Sequence, residues 1–126
     1  MTIDKDWFIG SQVVDADARG ITVIKDGITY GFDFVNDYGG CCGYNEFCAN
    51  LLYERGAVDN PVIVKVEEER QDSKKCCETL VLTLFGESKP IAGIKSESGS
   101  GSGWYYGACV KLVCSTANLE LKLTKW

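Results

Sequence analysis

The 126-residue chain has no histidine. Without imidazole, the commonest general base and the commonest nitrogen ligand for metals are both missing, so neither a Ser-His nor a Cys-His nucleophilic dyad can be assembled. A catalytic zinc site, which normally combines imidazole with an open coordination position, is disfavoured on the same ground. The chain also lacks a basic excess. Its net charge of −5 argues against direct nucleic-acid binding, because such proteins concentrate Lys and Arg to displace counterions from phosphates. No apolar run approaches the roughly 20 residues of a membrane span. The start, Met1-Thr2-Ile3-Asp4-Lys5-Asp6-Trp7, has neither the basic nor the apolar region of an export signal. A soluble protein of the cytoplasm is expected, with no membrane partner. The length is short for two ordinary domains, and a 45% hydrophobic content suits one core, so a single domain over 1–126 is predicted.

What the chain does have is cysteine, seven in all. In a reducing compartment these stay as thiols or bind metal, and an odd number cannot pair completely within one chain. Two adjacent pairs, Cys41-Cys42 and Cys76-Cys77, together offer the four thiolates that a tetrahedral structural zinc requires. Asp37 is an oxygen donor that can replace one sulfur. Buried free thiols are the competing reading, because vicinal cysteines hinder shared chelation. Lys74-Lys75, next to Cys76, favours thiolate and thus either metal binding or redox reactivity. Cys109 and Cys114 have opposite strand parity, so at most one should face the core.

The hydrophobic pattern predicts an α+β fold, a mostly antiparallel sheet of about six or seven strands packed around one principal helix. Val13-Val14, Ile21 to Ile24 and Ile28 to Val35 read as strands. Asp26-Gly27 has the chemistry of a two-residue hairpin turn between the last two. Ile28, Tyr30, Phe32 and Phe34 then share a face. Beyond Gly43, the residues Tyr44, Phe47, Cys48, Leu51 and Leu52 fall at the spacing of a helical stripe. Gly56 and Asn60-Pro61 are its expected stop. Strands resume at Val62 to Val66, Thr79 to Phe85, Ile91 to Ile94, Trp104 to Val113, and around Leu119, Leu121 and Leu123. Between the third and fourth of these, Ser96-Glu97-Ser98-Gly99-Ser100-Gly101-Ser102-Gly103 reads by composition as a flexible loop. Its backbone N–H groups are the alternative cradle for a phosphate.

The segments Asp37-x-x-x-Cys41-Cys42-Gly43-Tyr44, Val62 to Glu69, and Ser100-Gly101-Ser102-Gly103-Trp104-Tyr105-Tyr106-Gly107 occur in an order that resembles a group of small phage and prophage proteins of unknown function. This chain departs from them in the inserted Tyr38-Gly39-Gly40 and the added Cys76-Cys77. The resemblance implies a phage accessory protein. Joined to the acidity, it points to a counter-defence binding protein, an anti-CRISPR inhibitor that occludes the basic channel of a CRISPR effector nuclease (Cas9-type). Glu67, Glu68, Glu69 and Asp72 form the candidate acidic contact, with Trp104 and Tyr105 as aromatic anchors. No catalytic residue is expected, since a run of adjacent acids usually forms a solvated face. The alternatives are a sponge for a small signalling nucleotide, held at the Gly/Ser loop, and a thiol redox protein using Cys76 or Cys77.

Overall fold

Asp26 and Gly27 have φ values of 53° and 78°, the left-handed pair that a two-residue hairpin demands. They join β3 (Gly20–Lys25) to β4 (Ile28–Asp37), which pair antiparallel from Gly20↔Asp33 to Lys25↔Ile28. One turn earlier, the Asp17 carboxylate accepts from the Arg19 amide at 2.8 Å and turns the chain back from β2 (Gln12–Asp17). Gly20 is required there for space. A Cβ at this position would stand 1.8 Å from the Phe32 carbonyl oxygen.

The computed structural model describes residues 1–37, 43–54, 61–73, 77–100 and 108–126. Among these the chain forms ten strands and one four-residue 3-10 turn, Lys5–Phe8. β1 (Thr2–Ile3) pairs parallel with β10 (Leu119–Lys125), which pairs in turn with β9 (Cys109–Cys114). β9 then pairs with β4, giving a six-stranded sheet ordered β1-β10-β9-β4-β3-β2. The second sheet holds β5 (Gly43–Leu51), β8 (Pro90–Ser100), β7 (Cys77–Phe85) and β6 (Lys65–Ser73), in that order and antiparallel throughout.

The α+β expectation is therefore wrong: the fold is all-β, and no principal helix exists among the described residues. The stripe read as a helix is β5, paired with β8 without interruption from Gly43↔Ser100 to Leu51↔Ala92. The segment also carries a period-two set, Asn45, Phe47, Ala49 and Leu51, and over nine residues the two periods cannot be separated by pattern alone. Cross-strand pairing decides the outcome, because a strand propensity expresses the surface on which it packs. The expected stop at Gly56 and Asn60 lies outside the described residues. The strand order does not follow the chain order, since β5 lies beside β8 and β4 beside β9.

The core lies between the sheets. Val23, Phe32, Val110 and Leu112 of one sheet and Leu80, Leu82, Leu84 and Ile94 of the other are each at most 2% exposed, each burial contributing about 1.5–3 kcal/mol. Asp4 caps the 3-10 turn by accepting from the Asp6 amide at 2.9 Å, and the turn drives Phe8 inward against Phe32, ring centroids 5.4 Å apart. Trp7 meets Tyr30 and Phe32 edge-on at 5.0 and 5.4 Å, the arrangement that opposes positive ring edge to negative ring face. Lys25 lies over the Trp7 ring and donates to its carbonyl. An aromatic plug thus fills the sandwich near the start of β4. Cys114 is fully buried and Cys109 half-buried, as their opposite parity requires.

Candidate functional site

Toward the other end of β4 the interior turns polar. Ser96, Ser98 and Ser100 were expected in a loop, but they lie on β8 and are at most 4% exposed. The loop reading fails for them because their spacing of two continues the inward phase of Ala92 and Ile94. Small hydroxyl side chains are tolerated there because partners reach them from the facing sheet. Thr124 Oγ1 lies 2.5 Å from Ser96 Oγ and 2.8 Å from Ser98 Oγ. Ser98 Oγ donates to Asn45 Oδ1 at 2.6 Å, and Asn45 Nδ2 donates to the Cys109 carbonyl at 3.1 Å. A chain of hydrogen bonds therefore ties the two sheets together. With Ser96 and Ser98 committed inside, the phosphate cradle imagined for this stretch is left with residues 101–103, which lie outside the described residues.

Thr124 points inward only because β10 is bulged. The register with β9 shifts between Lys122 and Thr124, so Leu123 and Thr124, neighbours in sequence, are both buried. The bulge is braced from the facing sheet. Arg70 Nη1 donates to the Leu123 carbonyl at 2.9 Å and to Glu78 Oε1 at 2.7 Å. Its Nη2 holds Glu68 at 3.2 Å. Glu78 Oε1 also accepts from the Lys125 amide at 3.2 Å. Glu78 is the least exposed of the three ionic side chains, at 16%, which strengthens its pair with Arg70.

This brace divides the acidic set expected on β6. Strand parity sends Glu68, Arg70 and Asp72 to the face that continues Val66, and Glu67 and Glu69 to the opposite face. Lys65 holds Glu67 at 3.0 Å and Arg70 holds Glu68, leaving Glu69 and Asp72 without an ion pair among the described residues. Among the described residues β6 is nonetheless an edge strand, bonded to β7 on one side only. Every β6 residue except Val66 is exposed. Beneath Glu68 and Arg70, a cleft of about 270 Å³ opens between the sheets, floored by Leu80, Leu82 and Leu121. The aromatic anchors Trp104 and Tyr105 lie outside the described residues.

Three of the four proposed zinc ligands, Cys41, Cys42 and Cys76, also lie outside them. Cys77 opens β7 on the outer face of the four-stranded sheet, in one row with Tyr44, Gly99 and Ser73. Gly99 stands between Tyr44 and Cys77 without a side chain, and the Cys77 thiol and the Glu97 carboxylate both act on the Tyr44 phenol. Burial first, then the neighbouring Glu97 and Cys77 side chains, raise the Tyr44 phenol above its ordinary range, which favours its protonated form. Cys48, expected on a helical stripe, lies on the outer face of β5, half-buried. Among the described residues no three metal-binding side chains converge.

Sequence reasoning passed over Asn45, Arg70, Glu78 and Thr124. The alternating serines were the available signal, since period-two hydroxyls continuing an apolar strand need an inward polar partner. Nothing local marks Thr124, whose orientation depends on the bulge. No helix among the described residues is long and apolar enough to cross a membrane. Comparisons with family models, curated proteins and solved structures returned no match to this chain.

Proposed function

We propose that the protein is a non-catalytic binding module that covers a basic surface on another protein, with β6 as its contact strand. The observation that carries this reading is the open, exposed edge of β6 bearing Glu67, Glu68, Glu69 and Asp72. An edge strand offers unpaired backbone N–H and C=O groups, and a charged row along it discourages pairing with a second copy while attracting a basic partner. The net charge of −5 adds long-range steering toward such a partner. A CRISPR effector nuclease in the host cytoplasm has the required basic channel. That choice of partner rests on the sequence resemblance, as do Trp104 and Tyr105 as anchors and a zinc at the paired cysteines.

The test is the affinity of purified protein for a guide-loaded effector of this type, measured at two salt concentrations. Glu69→Lys/Asp72→Lys changes the two β6 carboxylates that no lysine or arginine among the described residues holds. Association should weaken by about tenfold or more and lose part of its salt dependence. Unchanged affinity and salt slope in the double variant would remove β6 as the contact. Absence of any complex at micromolar concentration would remove this partner.

A further inference from the structure

We infer that the outer side of the β10 bulge is a binding site for a small phosphate-bearing anion. In a regular strand, residues three apart point to opposite faces. Lys122 and Lys125 are three apart, and the register shift between Lys122 and Thr124 gives them the same outward phase. Lys122 stands directly opposite Lys111 on β9, a like-charge pairing that sheets ordinarily avoid. The three lysines line a trough of about 290 Å³ whose wall includes Leu123 and Thr124. Glu120 lies in the same trough and holds Lys111 at 3.2 Å. Lys122 and Lys125 have no carboxylate partner among the described residues.

Solvated lysines are common on any surface, but two features set this group apart. The bulge that gathers it is held in place from behind by Arg70 on the Leu123 carbonyl and by Glu78 on the Lys125 amide. Bulges of this kind re-aim side chains beside functional sites. The group also concentrates positive charge on an acidic chain, whose overall field repels anions, so attraction there must be local. Lysine meets phosphate as a compact charge with several donors. A site with two lysines that have no carboxylate partner among the described residues, and a third shared with Glu120, suits a diphosphate better than a single carboxylate.

Calorimetric titration of the whole protein with inorganic pyrophosphate, and separately with adenosine diphosphate, tests the site. Saturable binding of pyrophosphate is expected, reduced about tenfold in Lys122→Gln/Lys125→Gln. Equal affinity for the two ligands would assign the site to inorganic phosphates, and tighter binding of the nucleotide would assign it to nucleotides. Lys95→Gln on the other sheet removes one unit of the same charge and should leave binding intact. Failure to bind either ligand would overturn the inference. So would an equal loss in Lys95→Gln, which would reduce the effect to general charge, or unaltered binding in the double variant. Glu69→Lys/Asp72→Lys tests the β6 contact without touching this trough, so the two readings fail separately.

Discussion

Replacing Thr124 with valine removes one hydroxyl at nearly constant shape and separates the polar network from the apolar packing around it. Thr124 is 2% exposed, with bonds to Ser96 and Ser98 at 2.5 and 2.8 Å. Two hydrogen bonds at about 1 kcal/mol each give a loss of about 2 kcal/mol. Ser98 keeps Asn45, but Ser96 has no other side-chain partner among the described residues and adds about 1 kcal/mol for a stranded buried hydroxyl. The new methyl group returns about 0.8 kcal/mol. The net expectation is a destabilisation of about 2 kcal/mol, or a fall in Tm of about 6–10 °C for a chain of this length. Urea unfolding followed by tryptophan fluorescence should show a lower midpoint at an unchanged slope. Because apolar replacement of both partners costs less than stranding one, Ser96→Ala/Thr124→Val should be less destabilised than the sum of its single variants, by about 1 kcal/mol. A loss below about 0.5 kcal/mol in Thr124→Val, or strict additivity in the double variant, would refute the claim that these hydroxyls hold the sheets together.

Gly20→Ala should cost about 3 kcal/mol or more, since its Cβ would overlap the Phe32 carbonyl oxygen and only backbone movement can relieve the clash; thermal unfolding reads it directly, and a loss under about 1 kcal/mol would disprove the clash. Arg70→Met should cost about 1–2 kcal/mol, discounted for an arginine 36% exposed, and should weaken pyrophosphate binding by loosening the bulge; full stability and full binding together would show that Arg70 does not brace it. The Tyr44 pKa is raised in the folded state, so the folded chain keeps a proton that the unfolded chain releases above about pH 10. The stabilisation it contributes is complete below that pH and is lost as pH rises toward the folded value, so the midpoint of the native chain should fall above about pH 10 more steeply than that of Tyr44→Phe. Parallel curves would remove Tyr44 as the cause. If zinc joins Cys41, Cys42, Cys76 and Cys77, chelation should lower Tm, and Cys77→Ser should lose more stability than Cys48→Ser; equal losses would point to ordinary packing.

The strands that carry local signals could be read from the sequence, and those whose identity depends on distant partners could not. Asp26-Gly27 marks its hairpin because the required φ values belong to those two residue types. The apolar alternation of Leu119, Leu121 and Leu123 survives because one face of β10 is buried. β5 was misread because its apolar residues satisfy two periods at once, and only β8, some fifty residues away in sequence, selects between them. The acidic run on β6 shows the same limit in charge. Three consecutive glutamates look like one surface in sequence, yet parity and Arg70 turn Glu68 to the cleft and leave Glu67 and Glu69 outside. The bulge was the least legible feature, because nothing in Lys122-Leu123-Thr124-Lys125 announces it. Its cause is distributed: Arg70 takes the Leu123 carbonyl, Glu78 the Lys125 amide, and two serines the Thr124 hydroxyl. Reversing the phase of β10 at this one point turns Thr124 inward and places Lys122 and Lys125 together outside. The tie between the sheets and the lysine trough are therefore two faces of one irregularity, and a substitution that regularises β10 should remove both.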